Sequence, residues 1–297
     1  MTRISWQCIF GEAVVENRES FLLTKGGLPV SIFFFGIAKL NYNKNEVMGM
    51  AKKKPLAITY LFHSGFLVET EECLLVFDYY RDAAASKPPT FTGFPAPPAF
   101  LQTEKAVFVM VSHHHADHYN PVILEWEKGK PDLTYVLSSE IKPKRQVGRI
   151  FLVSPGDVRA IDPLFLKVFG STDQGVSFLV EVEGWRLFHA GDLNWWYWWD
   201  DPEDQRVAAG EAFKAEIDRL RGEWLDVAFF PVDPRLGAYS HLGGAYFIQQ
   251  LKPAFFIPMH FGADYQVTAR FAEQVRTATT KVVPLSQSPQ KILLACP

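Results

Sequence analysis

Cysteine is scarce in this chain, with three in 297 residues, Cys8, Cys73 and Cys296, an odd number with no close pair. That argues against a disulfide framework and against a thiolate zinc site, and it suits a reducing compartment, so the cytoplasm is the expected location. Long apolar runs are lacking too. The longest near the N-terminus, "LPVSIFFFGIA" from Leu28 to Ala38, falls short of the roughly 20 residues that cross a bilayer and lies too far in to serve as a signal peptide. Nor is there an excess of positive charge: 30 Lys and Arg stand against 33 Asp and Glu, for a net charge of -3. No basic stripe asks for nucleic acid or an anionic membrane, so neither is expected as a partner. What the chain does have is material for a core, 48% hydrophobic and 14% aromatic residues, which reads as a globular protein.

At Met50 the text changes character, and "MAKKKPLAITYLFHSGFLVE" runs from a basic start into strand-like sequence. Residues 1–49 are therefore read as an N-terminal extension contributing little to the fold, and residues 50–297 as one domain. "ITYLFHSGFLVETEECLLVFD" predicts strands with a hairpin around Thr70–Glu72, ending at Asp78. The five prolines of "SKPPTFTGFPAPPAF", Ser86 to Phe100, predict a loop. "AVFVMVS", Ala106 to Ser112, is the continuous apolar run of a strand covered on both faces. Asn120 and Pro121 then read as the cap and first residue of a helix through "VILEWEK", and another helix is expected over Leu242–Leu251. A second hairpin, "FLVEVEGWRLFHAGD", echoes "FLVETEECLLVFD" and suggests an internal duplication with Asp78 and Asp192 at equivalent strand ends.

Between that buried strand and the helix stands "SHHHADHYNP", which packs four of the chain's eight histidines and one aspartate into residues 113–118. A strand-to-helix loop is where folds carry chemistry. His113 and His115 are spaced i, i+2, with Asp117 and His118 directly after, so a tight loop can turn imidazoles and carboxylate toward shared ions. Imidazole nitrogen and carboxylate oxygen suit Zn²⁺, or Mn and Fe where carboxylates weigh more. Four ionisable groups crowded together without a metal would be costly to desolvate.

"HHHADH" resembles the H-x-H-x-D-H signature of the metallo-β-lactamase superfamily, and Asp78, "HAGD" with Asp192 and "IPMHFG" with His260 follow in that family's order. "YLFHSGFLVET" looks most like the branch that contains ascorbate-6-phosphate lactonase. The resemblance implies an α/β fold, a four-layer αββα sandwich of two mixed sheets with outer helices. It implies one or two divalent ions, Zn first and Mn or Fe next, with His113 and His115 on one metal, Asp117, His118 and His260 on the other, and Asp192 bridging. Asp78 would orient a ligand. Metal-assisted hydrolysis of a small ester, lactone or phosphoester follows, with hydroxide on the metal as nucleophile and Asp117, His118 and Asp192 as the catalytic set.

One landmark departs from the family. A third histidine for the first metal is usual in a segment like H-T-P-G-S-x-S, but the matching text here is "TDQGVSF", with Thr172 in its place and Asp173 beside it. Threonine is a poor zinc ligand, so an asymmetric site is expected unless Asp173, His189 or His241 completes it. "DLNWWYWWDD" suggests a cleft wall containing Trp195 and Trp196, or else core packing, and His63 in "FHSGF" is a further cleft candidate. A small-molecule substrate is the expected partner, with a homo-oligomer left open. The alternatives are a nuclease or nucleic-acid phosphodiesterase, a diiron oxygen- or NO-reducing enzyme, and a catalytically degenerate metal-binding module.

Overall fold

The computed structural model describes residues 53–81, 98–143 and 148–295. The expectations for residues 1–49 and for most of the Pro-rich loop lie outside the described residues. Two seven-stranded mixed sheets carry the fold. In the first, β1 (Leu56–Phe62), β2 (Gly65–Glu69), β3 (Cys73–Phe77), β4 (Ala106–Val111), β5 (Thr134–Ser138) and β6 (Arg149–Val153) lie in chain order, with β14 (Gln290–Leu294) beside β1. The second runs β7 (Val158–Ile161), β8 (Leu164–Phe169), β9 (Ser177–Val182), β10 (Trp185–His189), β11 (Val227–Pro231), β12 (Phe255–Met259) and β13 (Lys281–Val282).

Each sheet begins with three antiparallel pairings and ends with three parallel ones, so the second repeats the first strand for strand. The duplication suggested by the two FLVE hairpins is thus visible in the topology. Their registers need one correction. The spacing from Phe66 to Cys73 is that from Phe178 to Trp185, and carried forward it matches Asp78 with Ala190, so the extra Ala-Gly places Asp192 two residues past the equivalent strand end.

The apolar run of β4 has covered faces to fill. Phe108 and Met110 join the core between the sheets, while Val107, Val109 and Val111 face outward onto Val122, Ile123 and Trp126. Those three sit on the helix that follows Pro121, where the Asn120 side chain accepts from Val122 N–H at 3.0 Å. The segment Pro121–Lys128 is wound as a 3₁₀ helix, which lines up Ile123 and Trp126, three residues apart, on the sheet-facing side. Across the molecule α1 (Glu203–Arg219), α2 (Leu242–Leu251) and α3 (Tyr265–Gln274) bury Phe213, Phe247 and Phe271 as the outer layer on the second sheet. The result is the four-layer sandwich, with α2 where the sequence put it. No helix among the described residues is long and apolar enough to cross a membrane.

Candidate metal centre

The carboxyl ends of parallel-paired strands gather at one edge of the sandwich, where open α/β sheets place their ligands. Asp78 follows β3, the 113–118 loop follows β4, Asp192 follows β10, Asp233 follows β11 and His260 follows β12. His63 arrives from the turn between β1 and β2, and its carbonyl accepts from His260 N–H at 3.1 Å. His63, Asp78 and His260 all have positive φ, 57°, 40° and 64°. Each is a non-glycine residue in the left-handed region, a conformation costing roughly 1–3 kcal/mol that persists where the surroundings over-determine it. Strain is concentrated where the side chains converge.

Glycines let the loops close. A Cβ on Gly175, φ +72°, would stand 2.0 Å from Ser112 O, and one on Gly191, φ +54°, would stand 2.8 Å from Ser112 Cβ. These two backbones press on the residue that leads into His113.

The hydrogen bonds set where each imidazole carries its proton. Ser112 Oγ donates to Asp78 Oδ2 at 2.6 Å, so toward His113 Nδ1, 2.9 Å away, it accepts. His118 Nδ1 donates to Asp78 Oδ2 at 2.7 Å, and His260 Nδ1 donates to Asp233 Oδ2 at 2.9 Å. With Nδ1 engaged in this way, all three histidines turn Nε2 inward. Those atoms meet Asp192: His118 Nε2 is 3.0 Å and His260 Nε2 3.2 Å from Oδ1, and His113 Nε2 is 3.3 Å from Oδ2. None of the three nitrogens, nor Asp192 Oδ1, finds hydrogen-bond geometry, though all are buried. Buried imidazole nitrogens and a carboxylate oxygen converging without hydrogen-bond partners are an arrangement that a cation completes, since unsatisfied buried polar atoms otherwise cost about 1–3 kcal/mol each.

Two clusters have the spacing of metal ligands, His63, Asp117, His118 and His260 in one, and His113, His115 and Asp192 in the other. His63 was expected only at the cleft. Its Nδ1 accepts from Gly262 N–H at 3.3 Å, which puts the ring proton on Nε2, 3.3 Å from Asp117 Oδ2. His63 thus faces the cluster with a proton, and burial pushes its imidazole down to about 4, keeping it neutral.

Charge at the centre follows from these contacts. Burial, the largest single influence on His118, pushes it down, but the carboxylates of Asp192 and Asp78 outweigh that and raise it to about 10. Burial also opposes ionisation of Asp192, yet His118 and His260 hold it well below the usual carboxylate range. Asp233, against its own burial, is brought to about 2 by His260 and Arg235.

Several candidates fall elsewhere. His189 is no ligand: its Nε2 donates to Ser64 O at 2.9 Å, its Nδ1 accepts from Gly191 N–H at 3.2 Å, and its ring stacks on Phe77. The Thr172 hydroxyl is engaged by the Asn194 backbone, donating to Asn194 O at 2.6 Å and accepting from Asn194 N–H at 3.0 Å. His241 precedes α2 with Nδ1 on Ala238 O and belongs to neither cluster. Trp195 turns from the cleft onto Phe213 and Tyr246, while Trp196 and Trp198 line it, so the aromatic run serves both packing and wall. Asp173 reaches the cleft beside Thr172 without joining a cluster.

Sequence reasoning marked the segments that hold Asp233, Ser112, Trp198 and Arg235 but did not single out these residues. Asp233 was within reach, because "AFFPVD" is an apolar strand ending in an acid, the same pattern that singled out Asp78 and Asp192.

The model of the family described as "Beta-lactamase superfamily domain" matches residues 57–195. The chain is 26% identical over 253 residues to a UPF0173 metal-dependent hydrolase of Desulforamulus reducens, covering 78% of this chain and 97% of that one. The fold resembles Igni18, a metallo hydrolase of Ignicoccus hospitalis (TM-score 0.59, 16% identical, 82% of this chain and 100% of that one). It also resembles CmlA, a diiron β-hydroxylase of Streptomyces venezuelae (TM-score 0.52, 10% identical, 82% of this chain and 54% of that one). The family model takes in the histidine loop and Asp192, and the metal-dependent hydrolase relatives and the similar folds extend over most of the chain, which together support a metallo-β-lactamase superfamily hydrolase.

Proposed function

We propose that the protein is a metal-dependent hydrolase of a small ester, lactone or phosphoester. The observation that carries this reading is the convergence of unpartnered Nε2 atoms of His113, His118 and His260 on Asp192. His118, His260, Asp117 and Asp192 would hold one divalent ion, and His113, His115 and Asp192 a second. When bound, such an ion supplies Lewis acidity, polarising a carbonyl or phosphoryl oxygen and making water a usable nucleophile near neutral pH. The chain's own residues do the rest. Asp78, Asp233 and Ser112 keep the ring protons on Nδ1, so that Nε2 stays available. Asp192 offers one oxygen to each cluster, and Trp196, anchored by its Nε1–H on Asp192 O at 3.0 Å, walls the site from water. His63 presents its Nε2 proton toward Asp117 at the cleft side.

The cleft encloses about 370 Å³, near the lower end of small-molecule sites, and supports a small substrate rather than a nucleic-acid strand. Zinc is the first choice of metal. Relatives named as metal-dependent hydrolases support the reaction class, and the diiron enzyme among the similar folds keeps iron in view. The test is metal content per chain of untagged protein dialysed against metal-free buffer, beside His113→Ala and His260→Ala, followed by a screen of lactones, esters and phosphoesters. Retained metal lost in both variants, with turnover, supports the reading. Metal-free protein that cannot be reloaded sinks it.

A further inference from the structure

Arg235 is the one lysine or arginine among the described residues lining the cleft, and it faces an otherwise acidic wall of Asp117, Asp173 and Asp192. It enters from the segment after β11. Asp233 accepts from its Nε, at 2.9 Å to Oδ2, and also from Nη2, which fixes the plane of the guanidinium. Among the described residues no hydrogen bond takes Nη1. The side chain is 60% exposed although its partner carboxylate is buried, so one edge is held and the other is presented to the cleft.

Beside it the tryptophans form a continuous wall. Trp196 stands edge-on to His260, with ring centroids 5.6 Å apart. Trp196 and Trp198 are parallel to within 7° at 6.0 Å, and the Arg235 guanidinium lies 5.7 Å from the Trp198 ring centre. The order along the wall is metal ligand, indole, indole, guanidinium.

We propose that Arg235 is a specificity residue that binds an oxyanion group of the substrate, carboxylate or phosphate, while Trp196 and Trp198 hold a flat segment between that group and the metal centre. The substrate class is then a small anionic molecule whose hydrolysable bond is separated from its charge by a planar, weakly polar unit. This rests on the hydrolase reading for the identity of the scissile bond, and on Arg235 alone for the charge. Arginine suits the task because its planar fork meets two oxygens at once and stays charged at every working pH.

The test uses the full chain as purified and three probes of similar ring size, benzoate, phenylphosphonate and benzamide, followed by quenching of intrinsic tryptophan fluorescence. At equal metal content, Arg235→Ala is expected to raise the Kd of benzoate or phenylphosphonate by about tenfold or more, Arg235→Lys by less, and neither to change benzamide binding. Whichever anion binds more tightly to wild type distinguishes a carboxylate from a phosphate substrate. Trp198→Ala should weaken benzoate while leaving acetate unchanged.

Anion binding that survives in Arg235→Ala, or wild-type protein that fails to prefer benzoate over benzamide, overturns the proposal. So does loss of metal from both Arg235 variants, which would make the residue a support for Asp233. Charge-selective binding without turnover of any ester would count against the hydrolase reading and leave this one standing. Turnover with charge-blind binding would do the reverse.

Discussion

The two candidate ligand clusters are neighbours built to different standards. Behind His118 and His260 stand ionised carboxylates, Asp78 and Asp233, each taking an Nδ1 proton at 2.9 Å or less. Behind His113 stands only the hydroxyl of Ser112, and where the resemblance leads one to look for a third imidazole there is Thr172, closed on the Asn194 backbone. A carboxylate behind an imidazole makes it a stronger and better-oriented ligand than a hydroxyl does. The lesson is that two sites sharing Asp192 need not share an affinity: the one nearer His260 should hold its ion more tightly.

Removing the shared residue should break the comparison altogether, because Asp192 touches both clusters. Asp192→Ala is expected to strip both ions and lower turnover by about a thousandfold or more, the scale set by losing several kcal/mol of metal-borne charge stabilisation. Elemental analysis beside kinetics checks it, and a variant that keeps one full equivalent of metal would remove Asp192 from one cluster. Next in size are the supports. Asp233→Ala should weaken the tighter site by about ten- to a hundredfold, whereas Ser112→Ala should weaken the other site by less, read by competition with a chromophoric chelator. Equal losses would mean that carboxylate and hydroxyl are equivalent here.

Much of this edge was legible in the sequence because the candidate ligands follow strands, and strand ends are marked by apolar runs. His113, His115, Asp117, His118, Asp192 and His260 all follow that rule, and so does Asp233, which was overlooked. The duplicated sheet pattern was legible for a similar reason, since the FLVE hairpins repeat the turn that feeds β3 and β10. What could not be read was direction. His189 adjoins the Ala-Gly-Asp turn yet points at Ser64 O, Trp195 and Trp196 are consecutive yet face opposite ways, and Arg235 is seen to be oriented only once Asp233 is known to hold it.

Protons sharpen the comparison at smaller scale. His118, raised to about 10 by Asp192 and Asp78 against the pull of burial, is protonated near pH 7 in the metal-free protein. An incoming ion must displace that proton, so uptake at the tighter site should release about one proton per ion, with apparent affinity falling on acidification from neutral pH. Calorimetry in two buffers of different ionisation enthalpy measures the number directly. No proton release would mean that His118 is neutral before metal arrives.

The smallest expected effect decides whether the asymmetry is what the geometry says it is. Thr172 is tied by two hydrogen bonds to Asn194, which lies two residues after the shared Asp192. Thr172→Val keeps the side-chain shape and removes both bonds, leaving a backbone N–H and C=O without their partner. Thermal or urea unfolding should therefore show a loss of roughly 1–3 kcal/mol, while metal stoichiometry and the weaker site's affinity stay close to wild type. If instead the weaker site loses its ion and stability is unmoved, the hydroxyl is a ligand after all. The two clusters would then differ by one weak donor rather than by a missing one.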